Sequence, residues 1–230
     1  MGKKGKFIVI DGTDGSGKAT QTELLASRLK KNKFKVKVID FPRYYDNFFG
    51  KLIGECLAGE YGDFLAVNPR IASVLYAADR FESSKSIRKW LADGNIVIAD
   101  RYVSSNQIHQ GGKIKNEKDR KEFLKWLEKM EFEIFAIPKP DAIIYLDVPV
   151  EITQKLLAGE KGSYKKRYLR GRKDVAENNL QHLQDSKESA IKMIKKNNNW
   201  VRVNCVKNDG LLPIDEIGSI IWNKLEKIIK

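Results

Sequence analysis

The chain has 230 residues, 42% of them hydrophobic, and carries 43 Lys and Arg against 30 Asp and Glu for a formal charge of +13. That length and apolar content suit one α/β domain with a proper core and exclude a disordered chain. The positive balance admits a polyanionic partner. Much of it lies on solvated faces or near the termini, at 113–129, 192–196 and 224–230, with no aromatic and basic stacking motif, so charge alone does not argue for nucleic acid.

Taken in chain order, short β-rich runs at 6–11, 35–41, 95–100, 142–147 and 200–205 alternate with helical stretches, which predicts a five-stranded parallel sheet with helices on both faces. After the first strand, 20–29 reads as a helix with Leu24, Leu25 and Leu29 on one side. Asn68-Pro69 starts a long helix through Val74, Leu75, Ala78, Phe81, Ile87, Trp90 and Leu91, ended by Asp93-Gly94, and these apolar positions are expected to face the core. Further stripes are Phe123, Trp126, Leu127 and Met130, then Ile217, Ile220, Ile221, Leu225 and Ile228. The segment 159–173 combines Gly159, Gly162 and Gly171 with seven lysines and arginines, a composition that suits a mobile basic lid over phosphates. No repeat or domain boundary interrupts the chain, so 1–230 reads as a single domain. Cys56 and Cys205 lack metal-type spacing, no apolar run approaches membrane length, and the N-terminus enters its first strand without a signal-peptide core. A reduced, cytoplasmic protein is expected.

The chemistry starts at Gly12-Thr13-Asp14-Gly15-Ser16-Gly17-Lys18-Ala19-Thr20, which has the spacing of a phosphate-binding P-loop between a strand and a helix. Its glycines let successive N–H groups converge on one anion, the helix start favours negative charge, and Lys18 adds a cation for the outer phosphates. A nucleoside triphosphate is the expected ligand. Ala19 stands where Ser or Thr usually gives a hydroxyl to magnesium, so carboxylates and phosphate oxygens are expected to hold the metal.

Three further segments sit at strand ends or on the facing helix: Phe41-Pro42-Arg43-Tyr44, Tyr76-Ala77-Ala78-Asp79-Arg80, and Asp100-Arg101-Tyr102 running on through Ser104-Ser105-Asn106 to His109-Gln110-Gly111. With the P-loop and Pro140-Asp141, they closely resemble the thymidylate kinase family over most of the chain. The resemblance implies a P-loop kinase fold, transfer of the γ-phosphate of ATP to dTMP to give dTDP and ADP on the way to dTTP, magnesium as cofactor, and a homodimer. It implies that Arg101 grips the acceptor phosphate with Tyr44 beside it, and that Tyr76 stacks on the base while Arg80 and Asn106 read its polar edge. It sets Phe41, Ser105 and Gln110 around dTMP, and Asp14 at the sugar 3′-hydroxyl or, with Asp100 through water, in the magnesium shell. Since Gly15 stands where some members carry an arginine, the chain resembles the lid-arginine subgroup, with Arg167, Arg170 or Arg172 bridging donor and acceptor. His109 departs from the family's tyrosine at the sugar edge.

Two rivals stay open on the sequence. A related P-loop kinase could act on another nucleotide or on a nucleoside, and a non-catalytic module could bind nucleotide without transfer. A nucleoside kinase would need a base for a sugar hydroxyl and fewer acceptor-phosphate cations than this chain offers. Ala19 is the one feature that favours a non-catalytic module.

Overall fold

The computed structural model describes residues 4–159, 169, 179–208 and 210–229. Strands β1 (Lys6–Gly12), β2 (Val36–Asp40), β3 (Ile96–Asp100), β4 (Ala142–Asp147) and β5 (Trp200–Asn204) form one parallel sheet in the order β2-β3-β1-β4-β5. The three inner strands are sealed on both faces, as expected for runs such as Ile-Val-Ile-Ala and Ala-Ile-Ile-Tyr-Leu. A short hairpin, β6 (Val206–Lys207) with β7 (Gly210–Leu211), follows β5.

The helices are α1 (Lys18–Lys31), α2 (Phe48–Leu57), α3 (Pro69–Ala92), the short α4 (Val103–Ser105), α5 (Glu117–Glu128), α6 (Val150–Gly159), α7 (Leu180–Lys196) and α8 (Ile214–Ile229). The two-residue period of the strands sorts the core. Ile8, Ile10, Ile98, Ile144 and Leu146 meet Leu25 and Leu29 of α1 and Ile217, Ile221 and Leu225 of α8. Their neighbours Phe7, Val9, Val97, Ile143 and Tyr145 meet Ile87 of α3, Phe123 and Leu127 of α5 and Ala190 and Met193 of α7. Helices therefore cover both faces, and every strand delivers its C-terminal end to the same edge, where open α/β sheets bind ligands.

Helix α3 begins and ends where the sequence predicts. The Asn68 side chain accepts from Arg70 N at 2.9 Å with Pro69 in the first turn, and Gly94 just beyond Asp93 has a φ of 76°. Its apolar stripe is a correction. Ile87 is buried and Leu75, Trp90 and Leu91 are partly so, but Val74 is 39% and Phe81 50% exposed. The face turned inward instead carries Ser73, Asp79, Arg80, Ser83 and Ser84. That face borders the ligand edge and the loop after β2, while Ile87 on it packs into the apolar core. Asp79 there accepts from Arg43 N and Asn47 Nδ2, whereas the buried Ser73 hydroxyl has no partner among the described residues.

Candidate active site

The P-loop turns through two residues that need glycine. Gly15 and Gly17 have φ of 76° and 82°, and a Cβ on Gly15 would lie 2.6 Å from Thr153 O. Gly17 caps α1, so the helix N-terminus opens into the turn as the sequence predicts. Lys18 is buried. It donates to Thr13 O at 2.8 Å and lies 4.0 Å from Asp14. Burial and the Arg101 cation depress its pKa from the ordinary lysine value, and an arriving phosphate would favour its charged form.

Arg101 faces the loop from the end of β3. Its backbone has a φ of 70°, held by an N–H bond to Ile10 O of 2.9 Å, a left-handed conformation that only well-determined surroundings maintain. Its guanidinium pairs with Asp14 through Nη2, approaches Asp11 at 3.9 Å, and donates from Nη1 to His109 Nε2 at 3.2 Å. Burial alone would raise the Asp14 carboxyl. The Arg101 and Lys18 charges more than reverse this and hold it well below the usual carboxylate range. Beneath them, Asp11 is sealed from solvent and accepts from Gly12 N, Ser104 Oγ and Ser105 Oγ. One buried carboxylate thus ties the P-loop to the start of α4.

The same cavity, about 320 Å³, has Phe41, Tyr44, Tyr76, Arg80, Ser105, Asn106, His109 and Gln110 in its wall, with Asp14, Lys18, Asp100 and Arg101 at its charged end. Every residue expected around the acceptor therefore lines one space. Gly15, Gly17, Ala19 and Thr20 also reach it, whereas Gly12, Thr13 and Ser16 form the buried body of the loop. Tyr76 serves two purposes: it packs beside Phe64 at 6.0 Å in a small cluster with Ile53 and Leu57, and it turns toward the cavity. Arg80 is more constrained than the sequence suggests. Its Nε and Nη2 grip Glu131 at 2.8 and 2.5 Å, and Nη1 donates to Tyr102 O at 3.3 Å. Asn106 Nδ2 donates to Ser73 O and to Glu131 Oε1, both at 3.2 Å, which leaves Oδ1 as the amide's other polar atom.

Sequence reasoning missed Asp11, Glu131, Lys113 and His182. Asp11 left a signal, a carboxylate closing an otherwise apolar strand. Glu131 left none, because it reads as one more charge on an amphipathic helix. Both Asn106–Gln110 and Lys129–Ile134 are widened turns with π-helical bonding, a local geometry often associated with functional sites. Lys113 lines the cavity, and burial pushes its ammonium down to about 8 against the opposing pull of Asp63. Of the expected lid, Arg167, Arg170 and Arg172 lie outside the described residues.

Among the described residues no three His, Cys, Asp or Glu side chains converge on a metal position. The cavity does offer hard carboxylate oxygens, from Asp14 held ionised and from Asp100. That set fits magnesium, which keeps waters and takes one or two carboxylates together with substrate phosphates.

A phosphate loop, a second cation clamped to it through Asp14, and a wall carrying Tyr76, Arg80 and Asn106 in the same cavity define a P-loop phosphotransferase that acts on nucleotides. Residues 10–210 match the family model described as thymidylate kinase. A thymidylate kinase of Mycobacterium tuberculosis is 33% identical over 155 residues, covering 67% of this chain and 69% of the relative. One of Plasmodium falciparum is 33% identical over 152 residues, 66% of each chain. The solved thymidylate kinase from Candida albicans superposes with a TM-score of 0.72 at 25% identity, over 98% of this chain and 92% of that one. The chain belongs to the thymidylate kinase family. It is a phosphotransferase of the nucleoside monophosphate kinase class. Among the described residues no helix is long and apolar enough to cross a membrane.

Proposed function

We propose that this cavity moves the γ-phosphate of ATP to the 5′-phosphate of dTMP, with the P-loop holding the donor and Arg101 the acceptor. One observation carries the assignment: Arg101 is clamped beside the P-loop by Asp14 and His109, in the same space as Tyr76, Arg80 and Asn106. A planar, permanently charged fork suits a monophosphate. The acceptor is already an anionic nucleophile at neutral pH, so no general base is required. Catalysis comes from alignment and from neutralising charge as it migrates.

The bonding around the base wall supports thymine over cytosine. With Nδ2 committed to Ser73 and Glu131, Asn106 Oδ1 accepts from thymine N3–H, while Arg80 Nη1 donates toward O4. Cytosine offers a lone pair at the first position and an amino group at the second, so both contacts become repulsive. Tyr76 supplies a flat face for stacking beside Phe64.

Magnesium, when bound with ATP, neutralises donor phosphate charge; Asp14 and Asp100 would hold it, the latter through water. At least one of Arg167, Arg170 and Arg172 engages the migrating charge. The exposed row Ile71, Val74 and Phe81 on α3 supports pairing with a second copy of the chain, and the two spaced cysteines support a cytoplasmic setting. The test is turnover with ATP and magnesium of dTMP against thymidine: dTMP should be phosphorylated far faster, and a preference for thymidine would reassign the enzyme to nucleosides.

A further inference from the structure

His109 is half-buried and lines the cavity, with a bond at each ring nitrogen. Nε2 lies 3.2 Å from Arg101 Nη1, and Nδ1 lies 3.1 Å from Ser186 Oγ on α7. The proton positions follow from the partners. An arginine can only donate, so Nε2 is the acceptor. Ser186 has a single hydroxyl hydrogen, and its Oγ lies 2.6 Å from His182 O, a carbonyl that can only accept. The Ser186 oxygen must then accept from Nδ1–H. These bonds define one neutral tautomer and a directed relay: His109 Nδ1–H to Ser186 Oγ, Ser186 O–H to the α7 backbone, Arg101 N–H to His109 Nε2. The ring of His182 stacks on that of His109 with centroids 5.4 Å apart and planes at 28°.

We infer that His109 is a positioning residue for Arg101, a lone pair fixed in direction by helix α7 that, together with Asp14, aims the guanidinium at the acceptor phosphate. Asp14 neutralises the fork but also competes with the phosphate for its donors. A neutral acceptor constrains the fork without adding negative charge beside the incoming dianion. A packed histidine without a role would require neither the Nδ1–H tautomer nor the Ser186 link. The inference rests on Arg101 as the acceptor-phosphate ligand, as proposed above.

The experiment has two arms on the full-length protein. In the ligand-free enzyme, two-bond nitrogen–proton correlation spectra with labelled histidine are simple to read because the chain has 2 histidines, and a His182→Gln variant assigns them. The expected result at neutral pH is a protonated Nδ1 and a bare Nε2 on His109; an Nε2–H tautomer or an imidazolium overturns the relay. In the kinetic arm, His109→Phe should raise KM for dTMP about tenfold with little change in KM for ATP, whereas His109→Gln, whose Oε1 reaches the Nε2 position, should recover most of the loss. Equal effects of Phe and Gln, or an unchanged KM for dTMP in both, overturn the positioning role. The spectrum needs no substrate, and an Arg101→Ala variant with a normal KM for dTMP would instead overturn the assignment of the acceptor site. The two failures are thereby told apart.

Discussion

Arg80 and Glu131 meet as a two-point ion pair in which both side chains are sealed from solvent, with Arg80 Nε to Glu131 Oε2 at 2.8 Å and Nη2 to Oε1 at 2.5 Å. Glu131 also takes Asn106 Nδ2, so one carboxylate sets the orientation of both groups assigned to the base edge. Removing it by Glu131→Ala would strand a buried guanidinium, at a cost of about 3 to 5 kcal/mol in unfolding free energy. Chemical denaturation measures that loss. Glu131→Gln keeps the shape and should lose less stability, yet its amide no longer matches both partners, so discrimination between dTMP and dCMP should fall. Unchanged discrimination in the Gln variant would detach Glu131 from base reading.

Arg101→Ala should lower kcat/KM for dTMP by about a hundredfold or more, since each charge-assisted bond to the phosphate is worth roughly 1.5 to 3 kcal/mol. KM for ATP should change little. Arg101→Lys should recover only part of the loss, because an ammonium cannot present the two-point fork. Loss of ATP binding with normal dTMP binding would move Arg101 to the donor site.

Stability should fall as the solution is acidified through the histidine range. Burial depresses both His109 and His182, with Arg101 adding to the effect on His109 and Lys113 to that on His182. Below about pH 6.5 the unfolded chain binds protons that the folded one refuses, so stability present above that pH is lost as pH falls, by at most about 1.4 kcal/mol per pH unit for each ring. Asp14, also depressed, acts only below the ordinary carboxylate range, and Asp79, raised by burial, acts with the opposite sign. Urea unfolding at about pH 7.5 and about pH 5.5 checks the slope. His109→Gln should flatten it, and an equally steep slope in that variant would place the linkage elsewhere.

The phosphate loop can be tested at its anomaly. Ala19→Ser should leave transfer intact or tighten apparent magnesium affinity modestly, because an added hydroxyl can replace a water in the octahedron and serine begins a helix without strain. Lys18→Ala should nearly abolish transfer. A natural enzyme with no magnesium-dependent activity at any metal concentration would mark the loop as a binding device only.

Most of the architecture was legible because its signals are local. The strands are short apolar runs, α3 opens on Asn68-Pro69, and the residues that the family resemblance set around the acceptor, from Phe41 to Gln110, line one cavity. The losses have two physical sources. Periodicity reports which side of a helix is apolar, and on α3 it selected Val74 and Phe81, which face outward, while the inward face is polar because it borders the site. Glu131 joins the site only through its partners, 51 positions away at Arg80, and His182 lines the cavity from the distant α7; no local pattern encodes such placements.

The most direct test of the central claim is a competition: equimolar dTMP, dCMP, dGMP and AMP with limiting ATP and magnesium, products separated and quantified by mass. Base reading by Asn106 and Arg80 above an Arg101-held phosphate predicts dTDP as the dominant product. Comparable yields of dCDP, of dGDP, or of heavy ADP from isotopically labelled AMP would contradict it.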